Sequence, residues 1–176
     1  MLLNEVISIQ TRKTVFHGSH EEFDSFDLNR IGENKADKGG WGIYLSESEE
    51  VARQYTPEGK GVLMQFLLPT GKYLNLDEVM DEYSFNDIME NLEYFDERVY
   101  KKTESFREEI ESYGFDDYQL TGLQFYEIIA HDFGSKKKMS LFLKDCGFMG
   151  NTFLDKTKPN VRNYVLFSTD GLRRVS

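Results

Sequence analysis

From Tyr73 through Tyr113 the chain contains neither glycine nor proline, and its apolar residues fall at helical intervals: Val79, Met80 and Tyr83, then Ile88, Leu92, Phe95 and Val99, then Phe106, Ile110 and Tyr113. Spacings of three and four line one side of a helix, so the stretch reads as a block of amphipathic helices. On either side the pattern changes to short apolar runs closed by glycine, proline or polar turns, which suits strands. Before the block these runs are 14–17, 42–45 and 62–68; after it they are 148–154, 163–167 and 172–175, with a turn at 156–160. Ser46 or Ser48 is placed to cap a helix over 49–55, a further helix pattern runs from Leu120 to Phe133, and Ser135 opens another that stops at Gly147. Strands, a helical block and strands again define an α+β domain without the alternation of a parallel sheet.

The same block carries the charge. From Asp77 through Asp117 there are 15 acidic residues against four basic ones, which accounts for the formal net charge of -10 and leaves the remainder nearly neutral. Such a run is either a solvated helical face or a docking surface for a basic partner. Its potential repels phosphate backbones, which favours a protein partner over a nucleic acid. With 176 residues and 39% hydrophobic content, the expectation is one domain over 1–176 with one core. No apolar run has the length of a membrane span, so no membrane partner is expected. The first residues, Met1 to Glu5, lack the basic and apolar regions of an export signal, and the one cysteine, Cys146, suits a reducing compartment, so a cytoplasmic location is the expectation.

Two segments carry recognisable chemistry. The first is Val15-Phe16-His17-Gly18-Ser19; the second runs Gly39-Gly40-Trp41-Gly42-Ile43-Tyr44-Leu45-Ser46 and on to Ala52-Arg53-Gln54-Tyr55, with Tyr55 eleven residues beyond Tyr44. Singly, a histidine at a strand end or a tyrosine on a strand is a structural residue; order and spacing make the set informative. Together they resemble the ADP-ribosyltransferases of the diphtheria-toxin and poly(ADP-ribose) polymerase type. That resemblance implies a split antiparallel β-sheet core, here with a helical, acidic insertion at about 75–118, and NAD as co-substrate. It further implies that His17 hydrogen-bonds a ribose hydroxyl, that Gly18 brings backbone to the nicotinamide carboxamide, and that Tyr44 and Tyr55 grip the nicotinamide. Ser19, Trp41 and Gly42 complete the donor-binding set, with the Trp41 loop lying over the donor. The roles agree with the chemistry of the side chains. Aromatic faces attract a flat cation, an imidazole both donates and accepts, and glycine admits close backbone approach.

In that family a third position, usually a glutamate ahead of a Tyr and an apolar run on a late strand, opposes the positive charge developing on the ribose. Here the segment reads Arg162-Asn163-Tyr164-Val165-Leu166-Phe167. Asn163 keeps the hydrogen bond and lacks the charge. A full charge about 4 Å away is worth on the order of 4 kcal/mol at an effective dielectric near 20, so its loss costs roughly two to three decades of rate. An acidic group on the acceptor, or Asp155 or Asp170 folding in, would supply it. The run from Gly134 to Gly150, followed by the Asn163 strand, is similar to the end of phage-associated and bacterial toxin-like members. Three readings follow: a mono-ADP-ribosyltransferase acting on a protein with release of nicotinamide, a silent NAD- or ADP-ribose-binding module, and an NAD glycohydrolase. Removal of a 2'-phosphate from RNA on the same fold is disfavoured by Tyr44. No metal is expected, since His17, His20, His131 and Cys146 form no zinc spacing.

Overall fold

A computed structural model of the chain describes residues 6–31, 39–56 and 60–175. Residues 34–38 of the polar loop, and Pro57 and Gly59 of the turn before residue 62, lie outside the described residues, as do Met1 to Glu5. Strands β1 (Val6–Ile9), β2 (Thr14–Ser19), β3 (Ile43–Ser46), β4 (Val62–Leu67), β5 (Gly71–Asn75), β6 (Phe148–Leu154), β7 (Arg162–Leu166) and β8 (Arg173–Arg174) form a sheet ordered β1-β5-β6-β7-β3-β2-β4-β8. Its neighbours pair antiparallel except β5 with β6. The fold is therefore α+β with a mostly antiparallel sheet.

The sheet is nearly divided in two. β3 pairs with β7 from Ile43 opposite Leu166 to Ser46 opposite Asn163, and β2 pairs with β4 from Thr14 opposite Leu67 to Ser19 opposite Val62. Between β2 and β3, among the described residues, the register holds at Phe16 opposite Ser46 alone. Past that pair the strands serve different partners, and a cleft opens where the ladder stops.

The helices are α1 (Glu49–Arg53), α2 (Glu82–Phe95), α3 (Glu97–Lys102), α4 (Glu104–Tyr113), α5 (Phe115–Tyr118), α6 (Gly122–Phe133) and α7 (Lys136–Asp145). Ser48, rather than Ser46, caps α1 by accepting from the Val51 N–H; Asp81 caps α2, Thr121 and Gln124 form a reciprocal capping box on α6, and Ser135 caps α7. The acidic block is not appended to the domain. Its Phe85, Ile88, Leu92, Val99 and Ile110 share one apolar cluster with Phe125, Ile129, Met139, Phe142 and Leu143 of α6 and α7. A second cluster, including Val15, Ile43, Leu45, Met64, Phe66, Tyr73, Tyr164 and Leu166, involves alternate residues of the strands. That alternation turns Tyr164 and Leu166 to this cluster and leaves Asn163 and Val165 on the opposite face of β7. Among the described residues, no helix is long and apolar enough to cross a membrane.

Several elements depart from the sequence reading, α1 among them, which ends at Arg53 and not at residue 55. Tyr73 to Asn75, read as the start of the helical block, belong to β5: Tyr73 joins one core cluster and Leu74 the other, and burial on both sides of a strand erases the period-two signal. β1, absent from the sequence reading, is an edge strand against β5. The run 172–175 shrinks to the two residues of β8.

Candidate active site

His17 sits on β2 one residue past the Phe16–Ser46 pair. Its Nδ1 lies 2.7 Å from the Tyr44 carbonyl oxygen on β3, so a side chain bridges the strands where the backbone ladder no longer does. A carbonyl only accepts, so Nδ1 carries the proton and Nε2 presents a lone pair while the ring is neutral. Burial pushes the imidazole below its ordinary pKa, and the bond to Tyr44 only partly opposes this. Phe26 and Phe23 meet the ring edge-on, with centroids at 4.9 and 5.8 Å.

Tyr44 is fixed in turn: its hydroxyl donates to the Gly40 carbonyl over 2.8 Å. Gly18 is dictated by close packing of α1, since a Cβ there would lie 2.1 Å from the Ala52 carbonyl oxygen. At Gly42, where φ is +154°, a Cβ would lie 2.2 Å from the Leu166 carbonyl oxygen. The close approach of α1 brings Tyr55, half exposed at 50%, to the mouth of the cleft.

Three hollows share Tyr44. One of about 110 Å³ is lined by Phe16, His17, Gly18, Tyr44, Tyr55 and Asn163. A second, about 350 Å³, adds Leu123, Phe153 and Asp155 to Tyr44, Tyr55 and Asn163; the third, about 270 Å³, lies between His17, Tyr44 and Gly42 on one side and Phe23, Phe26 and Arg30 on the other. Pockets for cofactor-sized ligands span roughly 300–1,000 Å³, a range that the second hollow reaches.

Asn163 is buried, at 4% exposure, yet lines two of the hollows. Its Nδ2 donates to Asp155 Oδ2 over 3.2 Å, while among the described residues its Oδ1 has no hydrogen-bond partner. An unsatisfied buried acceptor of this kind costs about 1–3 kcal/mol. The Asp155 Oδ1 accepts from the backbone N–H groups of Thr157 and Lys158 and from the Thr157 hydroxyl. Burial alone would raise the Asp155 pKa, but these bonds and the one from Asn163 hold it below the ordinary carboxylate value. Asp170, the other acidic candidate, is engaged by Lys144 at 3.2 Å and by Ser168, and lines none of the three hollows.

The cleft thus gathers His17, Gly18, Tyr44, Tyr55, Asn163 and, on its β3 flank, Gly42. Trp41 and Ser19 are not among its lining residues. The Trp41 side chain is 1% exposed, its backbone N–H donates to the Tyr126 hydroxyl over 3.1 Å, and its carbonyl accepts from the Ser140 hydroxyl over 2.8 Å. It anchors the segment before β3 to α6 and α7 instead of presenting a face over the cleft. The Ser19 hydroxyl accepts from the Glu21 N–H. Glu47, a carboxylate next to Ser46, points to other work: its Oε1 accepts from the Tyr164 hydroxyl at 2.7 Å and from Lys13 at 2.8 Å. Of the two carboxylates offered by the sequence, Asp155 is the one that reaches Asn163, since a hairpin placing Leu154 opposite Arg162 sets the two residues side by side. Cys146 is no nucleophile candidate, since burial pushes its thiol up to about 12. Among the described residues, no group of three or more His, Cys, Asp or Glu side chains could hold a metal ion.

The chain belongs to the ADP-ribosyltransferases. Across residues 11–167 it matches the family described as ADP-ribosyltransferase in polyvalent proteins, a span that contains every residue of the cleft. No curated protein and no solved structure matches it.

Proposed function

We propose that the cleft between β2 and β3 binds NAD and that the protein transfers a single ADP-ribose unit from it to a protein acceptor, releasing nicotinamide. The observation that carries this reading is the meeting of His17 and Tyr44, from two strands that have stopped pairing, in a cleft also lined by Gly18, Tyr55 and Asn163. Tyr44 and Tyr55 offer aromatic faces to the cationic nicotinamide ring. Neutral His17, its proton committed to the Tyr44 carbonyl, offers Nε2 as acceptor for a ribose hydroxyl. Gly18 and Gly42 line the hollows and offer backbone to the donor.

The bond between the ribose carbon and the nicotinamide nitrogen breaks with its electron pair leaving on nicotinamide, through an oxocarbenium-like transition state of the kind met in glycoside hydrolysis. The acceptor's lone pair then forms the new bond and its proton passes to solvent. A basic protein surface suits the acidic helical block, on which Tyr83, Tyr94 and Tyr113 are exposed at 82%, 84% and 65%. The reaction is assigned to the cytoplasm, in a toxin-like, phage-associated setting. A second reading, a silent NAD- or ADP-ribose-binding module, is favoured by one observation: an amide stands at position 163 in place of a carboxylate.

Transfer of label from biotinylated NAD into cell lysate, with free nicotinamide read in parallel, separates these readings. A labelled band that vanishes with Tyr44→Ala supports the transferase. Nicotinamide release without a labelled product identifies a glycohydrolase, and neither signal, with NAD still bound, identifies the silent module.

A further inference from the structure

We propose that Asp155 supplies the carboxylate of this site, acting on the donor ribose through Asn163 as a positioning residue. The inference rests on the reading that the cleft cleaves NAD. A carboxylate only accepts, so the Asn163 amide must turn its Nδ2 to Asp155 Oδ2 and its Oδ1 the other way. Among the described residues that buried Oδ1 is left without a partner, in a side chain that lines both hollows around Tyr44 and Tyr55. The pair therefore does in two residues what one glutamate side chain does. Asn163 offers a fixed oxygen to a ribose hydroxyl, and Asp155, one amide further away, supplies the negative charge. Among the described residues the bond to Asp155 is what holds the Asn163 amide in this sense, because an amide without a carboxylate neighbour can present either end.

Asp155 is itself rigidly held. Thr157 and Lys158 donate to its Oδ1, which leaves Oδ2 for the amide. It takes no proton in the reaction. The ribose–nicotinamide bond breaks toward nicotinamide, the acceptor's electrons form the new bond, and Asp155 stays ionised while opposing the positive charge on the ribose. The charge acts from farther off than a directly placed glutamate, so its removal is expected to lower kcat by roughly 10- to 100-fold and to leave KM within about threefold.

The test is a steady-state assay of nicotinamide release from NAD by the purified full chain, comparing wild type with Asp155→Asn, Asn163→Glu, the two combined, and Asp170→Asn as a carboxylate engaged elsewhere. Asp155→Asn is expected to lower kcat with KM nearly unchanged, and Asp170→Asn to change neither. With Asn163→Glu in place the charge is already on β7, so adding Asp155→Asn should cost little; a purely structural role for Asp155 would cost the same in both backgrounds. Unchanged kcat in Asp155→Asn, or an equal loss in both backgrounds, overturns the inference while leaving NAD cleavage by the wild type standing. No release by the wild type or by Asn163→Glu overturns the underlying reading and the inference with it. Should Asp155→Asn fail to fold, Asn163→Ala leaves the Asp155 turn intact, and a kcat equal to wild type there is equally fatal.

Discussion

The Nδ1 of His17 lies 2.7 Å from the carbonyl oxygen of Tyr44, so the two residues proposed to hold the ribose and the nicotinamide are bonded to each other across the split in the sheet. One contact therefore sets the width of the cleft, the tautomer of the histidine and the direction of its acceptor nitrogen. On the proposed function, a donor entering this site would meet groups already in place, which reduces the ordering cost of binding.

The first prediction concerns that histidine's proton. Burial favours the neutral ring, so His17 in the folded protein should titrate below 6.5, the unperturbed value. A folded-state pKa depressed in a histidine means that the unfolded chain binds the proton more readily. The contribution of His17 to stability is thus full above 6.5 and falls as pH drops from 6.5 toward the folded value. An NMR titration of the His17 ring resonance should place its midpoint below 6.5, and NAD affinity should persist down to that midpoint. A midpoint at or above 6.5 would contradict the neutral-acceptor role.

Gly18→Ala introduces a methyl group 2.1 Å from the Ala52 carbonyl oxygen, a backbone atom that moves only if α1 moves. Overpacking of this kind costs about 1–3 kcal/mol. For a chain of this size that lowers the melting temperature by roughly 2–4 °C per kcal/mol. Because α1 also carries Tyr55 to the cleft, NAD affinity should fall along with stability. An alanine variant with wild-type melting and affinity would show that α1 does not pack as described.

Tyr126→Phe tests a more distant support. The Tyr126 hydroxyl accepts from the buried Trp41 N–H and lies 2.8 Å from Ser140, whose hydroxyl donates to the Trp41 carbonyl. Without it the Trp41 N–H loses this acceptor, at a cost of about 1–3 kcal/mol. The segment from Gly40 to Tyr44 should loosen, so that KM for NAD rises more than kcat falls. Kinetics and thermal melting on one preparation check both, and a variant altered in neither would remove this network from the account of the site.

Much of this arrangement was legible in the chain. Strand, glycine and capping signals around His17, Tyr44, Ser48 and Ser135 are local, and the helical period of 82–113 survives because one side of each helix stays wet. Tyr73 and Leu74 misled because both are fully buried on opposite sides of β5, which leaves no alternation to read. Trp41 resembled a residue of a loop over the donor, but its burial depends on Tyr126 and Ser140, 85 and 99 residues away. The Asn163–Asp155 contact lay between these extremes: the hairpin was visible, whereas its register, and hence which acidic residue reaches Asn163, is a tertiary outcome.

The most direct measurement is an NMR time course of NAD with the purified protein, following the nicotinamide resonances before and after addition of lysate proteins, for the wild type, Tyr44→Ala and His17→Ala. The account predicts that the wild type consumes NAD, that consumption accelerates when acceptors are present, and that both variants lose at least roughly 100-fold in rate. NAD left intact by the wild type, or consumed equally by all three proteins, would contradict it.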